Sequence, residues 1–334
     1  MAESFVEFLD RYGEANPPSM VYREGADFVA WQAEFLAGTR ELMGPVPARV
    51  ACRPEIVETV AEPDHERHLL TIPVNEFSAL VAYLLVPSDL SGDEERPGLL
   101  AFHGHATYGM DSLCGVRGMG ERDNAARAYA LSAVRSGYVV LVPAWWGWHG
   151  RDAHLDRVGR RDKCNVIQTA AGMYGLNVIA LHMQDAAAAC DVLSARPEVD
   201  AGRIGCLGNS YGGRTAMWFT ALDERVRACV ASGCMNDFRE RSLKLSSCGI
   251  QYPFGLLRYG DVAEVFSLIA PRALQLQCGE QDALITPQDR DRIERVVRGA
   301  YERTGAVDRY EYHLHPGGHI LLWPPAEQFL QAAL

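Results

Sequence analysis

The sequence predicts an α/β protein with a mostly parallel twisted sheet flanked by helices. Three observations carry this expectation. Short, nearly continuous apolar runs recur between residues 98 and 279, each bounded by Gly or Pro, as strands buried on both faces require. Helical stretches separate them, which is the βαβ alternation. The chain can also build a large core: it has 334 residues, 48% hydrophobic and 22% charged, a balance that excludes disordered, collagen-like and disulfide-stapled classes.

The first sixty or so residues read as amphipathic helix and connector. Trp31, Phe35, Leu36, Leu42 and Met43 fall near helical spacing within 28–43, and Gly44-Pro45 is a stop signal. We expect an N-terminal helical extension (1–60) packed on a main domain (61–334). The runs 69–74 and 77–87 are β-rich and separated by Asn75-Glu76, a hairpin-like start. Five strand-like runs follow at 98–102, 137–143, 203–208, 226–233 and 272–279. Thr286 can then cap a helix with Pro287 at its first position and Ile293, Val296, Val297, Ala300 and Tyr301 on one face before Gly305. From Asp308 to His315, Tyr310, Tyr312 and Leu314 alternate with Arg309, Glu311 and His313, as in a half-exposed strand. A last helix starts near Pro324. An irregular insertion, 235–270, interrupts the pattern as a small cap able to roof a pocket.

Charge and composition narrow the function classes. Thirty-two basic against 43 acidic residues give a net charge of −11, and no long Lys/Arg block opposes that field, so neither nucleic-acid nor membrane binding is expected. The stretch MAESFVEFLD lacks the basic and apolar regions of a secretory signal. The nearest candidate for a membrane span, Thr169 to Met183, is short and interrupted by Asn177 and His182. Nine scattered cysteines form no C-x-x-C pair, and Cys206, Cys229 and Cys278 lie in apolar runs as small hydrophobes. A reduced, cytoplasmic setting is the expectation.

The chemistry concentrates in Gly208-Asn209-Ser210-Tyr211-Gly212, a G-x-S-x-G directly after a strand and before a helical run. A sharp strand-to-helix turn exposes the serine Oγ, and the small neighbours allow the backbone to pass closely. Serine needs a base, and the base needs an orienting acid. Asp282 follows the 273–278 strand and His319 follows the strand ending near Leu314, giving the order Ser, Asp, His at strand carboxyl ends. Glu280 and Asp237 remain alternative acids. His313 lies within a strand and His315 precedes Pro316, which favours His319 after Gly317-Gly318. The oxyanion donors expected are the amide of Tyr211 and that of His105, with Ala106 as alternate to His105. A metal reading of His103 and His105 lacks a third ligand at matching spacing, so neither a metal nor an organic cofactor is expected.

With these residues in hand, the chain resembles the α/β-hydrolase superfamily, and within it the dienelactone-hydrolase-like and acetyl-xylan-esterase-like bacterial serine esterases with an N-terminal helical extension. The resemblance runs from about residue 60 to the end. It is carried by LVPSDL, LLAFHGHATYG, RPEVDAGRIGCLGNSYGGRTAMWFTALDERV, FSLIAPRALQLQCGEQD and YHLHPGGHI. It implies Ser210 as nucleophile, Asp282 as acid and His319 as base. Two departures bear on the pocket wall: such enzymes often show an Arg-Gly-Phe-Gly-like turn where this chain has Ala144-Trp145-Trp146-Gly147-Trp148-His149-Gly150-Arg151, and residue 211 is a bulky tyrosine.

Trp145, Trp146 and Trp148, with Tyr211, are therefore candidate substrate contacts, able to stack on a sugar or aromatic group, with burial under the insertion as the alternative. The charge runs 121–123 and 239–241 read as solvated. The expectation is a hydrolase of small-molecule carboxylic esters through an acyl-enzyme. Amide or C–C hydrolysis, or acyl transfer or cyclisation in secondary metabolism, would use the same triad. A non-catalytic binding protein on the same scaffold is the rival of a different class. The N-terminal extension is also a candidate homodimer contact.

Overall fold

A computed structural model describes residues 4–117, 127–151, 163–244 and 248–334. Nine strands form one sheet in the order β1-β2-β3-β5-β4-β6-β7-β8-β9. They are β1 (Glu55–Ala61), β2 (His65–Asn75), β3 (Ser78–Pro87), β4 (Arg96–Phe102), β5 (Val139–Pro143), β6 (Val199–Asn209), β7 (Val226–Ser232), β8 (Ala273–Gly279) and β9 (Tyr310–His315). The pairings among β1, β2, β3 and β5 are antiparallel; those of β5 with β4, and onward to β9, are parallel. The hairpin expected around Asn75 is present, with Asn75 opposite Ser78.

Side-chain alternation along the strands sends one core to each face. Leu100, Phe102 and Leu141 belong to one core with Phe35 and Trp218, while Leu99, Ala101, Val140 and Val142 join Tyr129, Phe329 and Leu330 in the other. The central strands β5 and β8 are buried at every position, which is why they read as unbroken apolar runs.

The principal helices in chain order are α1 (Phe5–Ala15), α2 (Phe28–Met43), α3 (Tyr129–Arg135), α4 (Lys163–Gly172), α5 (Val178–Ser194), α6 (Tyr211–Leu222), α7 (Pro287–Arg303) and α8 (Trp323–Ala333), alongside a helix at Phe238–Lys244 and shorter helical segments. Helix α2 starts at Asp27, whose carboxylate accepts from the amides of Val29 and Ala30, and it buries Phe28, Trp31, Phe35 and Met43. Helix α1 is different. It buries none of its residues, although Arg239 donates to the Asp10 carbonyl at 3.2 Å.

Two sequence expectations are corrected. β1 lies in the stretch read as helix and connector; it is an exposed edge strand pairing only with β2, so it has no apolar run to announce it. In β9 the expected alternation fails at the end, where Leu314 is exposed and His315 is buried. The His315 ring turns in and accepts the Gly317 amide at 3.2 Å, so the chain reverses there rather than continuing the pleat. The insertion at 235–270 lines an apolar cleft of about 920 Å³ together with α1: Leu9, Tyr12, Phe238, Tyr252 and Phe254 are among its walls, and none of Ser210, Asp282 and His319 is. The charge run 121–123 lies outside the described residues.

Candidate active site

The backbone at Ser210 has φ 62° and ψ −122°, a conformation that costs a non-glycine residue about 1–3 kcal/mol. The surroundings enforce it. The Ser210 amide donates to the Ser232 carbonyl at 2.9 Å, and the Ser210 carbonyl accepts from Arg214 at 3.0 Å as α6 begins. A Cβ on Gly212 would lie 1.9 Å from the Phe102 oxygen, and one on Gly208 would lie 2.3 Å from the Gly212 carbonyl carbon. Those two glycines are the reason the strand can turn into the helix within one residue.

His319 and Asp282 meet directly. The imidazole Nδ1 is 2.7 Å from Asp282 Oδ2, and Asp282 Oδ1 accepts the Leu284 amide at 2.9 Å. The acid is sealed, whereas the imidazole keeps about 30% of its side chain exposed. A carboxylate at Nδ1 holds the proton there and leaves Nε2 as the free base. The two loops are bound together: Glu280 donates to the His315 carbonyl at 2.8 Å and Gln281 to the Gly317 carbonyl at 3.0 Å. Of the alternative acids, Glu280 is exposed and Asp237 is paired with Arg292, its Oδ2 2.8 Å from Nε.

The serine turn and the histidine loop share one rim. Asn209 Nδ2 donates to the His319 carbonyl at 3.3 Å, and Ser232 Oγ donates to the Ile320 carbonyl at 2.8 Å. A Cβ on Gly233, the residue after Ser232, would stand 3.0 Å from His319 Cε1. The loop after β4 comes to the same place, because a Cβ on Gly104 would be 3.3 Å from Ser210 Cβ and 3.8 Å from the Tyr211 nitrogen. Tyr211 is the first residue of α6, so its amide has no carbonyl one turn earlier within the helix. His105 stands beside it, exposed, its ring 5.2 Å from that of Tyr211.

Buried neutral histidines fix these loops. His103 donates from Nδ1 to the Gly104 carbonyl at 2.8 Å and accepts the Trp145 amide on Nε2 at 3.2 Å. Burial pushes its pKa down to about 3, so it stays uncharged, and with both nitrogens engaged it is no metal ligand. His182 accepts the Trp146 amide at 3.2 Å and contacts the Tyr211 hydroxyl; burial holds it, too, well below the ordinary imidazole range.

The aromatic turn is mostly structural. Trp145 is fully buried against Phe102 and His182, and Tyr211 is sealed as well, so neither side chain has a face left for a substrate. Trp148 is buried and donates to the Ala106 carbonyl at 3.0 Å. Trp146 alone of the three is partly exposed, with the Arg151 guanidinium 4.0 Å above its ring. Arg151 is held by Asp185, Nη1 to Oδ2 at 2.7 Å, in a buried pair that spacing could not announce, since the partners are 34 residues apart.

Comparison with known proteins agrees with this architecture. The Dienelactone hydrolase family model matches residues 114–245, a span that holds Ser210 and ends before Asp282 and His319. A Bacillus subtilis protein named "Putative hydrolase YtaP" is 28% identical over 300 residues, covering 87% of this chain and 95% of its own. Among solved structures, a "putative acetyl xylan esterase" of Bacteroides fragilis superposes with a TM-score of 0.77 at 16% identity, covering 94% of this chain and 83% of its own. The glucuronoyl esterase of Solibacter usitatus gives 0.68 at 18% identity, covering 96% and 98%. The fold is that of the α/β-hydrolases. Within that class, residues 114–245 match the Dienelactone hydrolase family model and the fold is similar to that of an acetyl xylan esterase, both as the sequence motifs led us to expect; the likeness to a glucuronoyl esterase fold is additional.

Proposed function

We propose that the protein is a serine hydrolase of small-molecule carboxylic esters, with Ser210, His319 and Asp282 as its triad. The observation that carries this is the 2.7 Å bond between His319 and a sealed Asp282, on the rim where Ser210 is held in a strained turn. His319 Nε2 takes the Ser210 proton as Oγ attacks the acyl carbon. The oxyanion is met by the amides of Tyr211 and His105, at a helix start and on the adjoining loop. His319 protonates the departing alcohol, and water then attacks the acyl-enzyme by the same steps in reverse. Asp282 stabilises the imidazolium in both halves.

Fluorophosphonate labelling with peptide mapping tests this. The modification is expected on Ser210, together with hydrolysis of a short-chain aryl ester. Ordinary turnover by S210A, or a label mapping elsewhere, would overturn the proposal.

A further inference from the structure

His105 has a second environment that the proposed ester chemistry does not use. One of its ring nitrogens and the sulfurs of Cys164 and Cys248 lie within 4.8 Å of one another. Both cysteines are buried and His105 is exposed, so the cluster has a dry floor and a path from solvent. The two sulfurs arrive on separate segments that are already joined: Gly249, next to Cys248, donates its amide to Asn165 Oδ1, next to Cys164, at 2.8 Å. The neighbouring His103 cannot compete, since both of its nitrogens are engaged.

We infer that His105, Cys164 and Cys248 form a binding site for a thiophilic divalent cation, with Zn²⁺ the best match. Two thiolates and a neutral imidazole are a common zinc donor set, and tetrahedral Zn–S bonds of about 2.3 Å place two sulfurs about 3.8 Å apart. The spacing, with no pair beyond 4.8 Å, needs the sulfurs to close by about 1 Å at most and a nitrogen–sulfur pair by slightly more, within reach of side-chain rotation. Binding converts two thiols to thiolates, so two protons leave for each ion that enters and the charge at the site stays balanced. The ion would tie the roof segments around 164 and 248 to the loop 103–106. Any effect of that tie on ester hydrolysis rests on the proposed oxyanion role of this loop; the binding itself does not.

The test is a Co²⁺ titration of the full chain, kept reduced and anaerobic. The expected result is one equivalent bound, a thiolate-to-cobalt charge-transfer band, two protons released and displacement by Zn²⁺. S210A should titrate identically, so a failure of the ester reading leaves this one standing. The C164S/C248S double variant should lose the band, and H105A should bind at least about tenfold more weakly with altered visible bands. Because His105 is exposed, H105A keeps the test decisive should the double variant fail to fold. No charge-transfer band in the wild-type chain would overturn the site. So would a band unchanged in H105A, or a Cys164–Cys248 disulfide that withstands the reductant.

Discussion

Amidating one carboxylate isolates the role of the acid. In D282N the side chain would still reach His319 but would favour the wrong tautomer, and kcat is expected to fall by about 10⁴-fold, the size of the loss when the corresponding acid is amidated in a serine protease. KM for an aryl ester should change little, and steady-state kinetics would separate the two. A variant retaining a tenth of wild-type kcat would remove Asp282 from the triad. Gly212 tests the turn rather than the chemistry. The methyl of G212A would collide with the Phe102 carbonyl, 1.9 Å from an ideal Cβ, and backbone cannot step aside cheaply. Soluble yield and near-ultraviolet circular dichroism should both collapse. The G-x-S-x-G was legible because its residues are adjacent in sequence. The Cys164–Cys248–His105 cluster was not, because its members are 59 or more residues apart and only the folded chain brings them together.

At the scale of elements, local signals proved reliable where they were dense. Thr286 accepts the Asp289 amide at 3.1 Å at the start of α7, with Pro287 following, as the sequence indicated. T286A should cost about 1 kcal/mol of unfolding free energy by denaturant titration, with no change in ester turnover. A loss below a few tenths would mean that water replaces the cap. Exposed β1 was missed for the opposite reason: its residues face solvent, so no buried periodicity marks it. The tryptophans of the 144–151 turn show a further limit. Their type fitted a substrate wall and a core equally well, and the choice was made by His103 and His182, which draw the Trp145 and Trp146 amides inward from distant parts of the chain.

For the whole molecule, those two buried histidines imply acid lability. Each has a folded pKa below its usual 6.5, His103 at about 3, so the unfolded chain binds more protons through that interval. Their stabilising contribution is complete above pH 6.5 and is lost as the pH falls toward 3. At pH 5.5 the loss from His103 should be about 1 kcal/mol relative to neutral pH, with His182 acting in the same direction, which urea unfolding at the two pH values would register. H103Q should be less stable at neutral pH yet show a shallower pH slope; an equal slope would assign the lability to other groups. No helix among the described residues is long and apolar enough to cross a membrane.

The sheet order itself, with every parallel strand ending at one margin, has a consequence for how such a protein can diverge. The proposed reacting groups, Ser210, Asp282 and His319, follow strand ends where glycines such as Gly208, Gly212 and Gly279 leave no room for a Cβ. The turn at 144–151 and the segments carrying Cys164 and Cys248 hang from the same margin on connections of their own. If the proposed triad is right, exchanging a hanging segment for that of a relative should change the pocket wall while leaving the bond-breaking step intact.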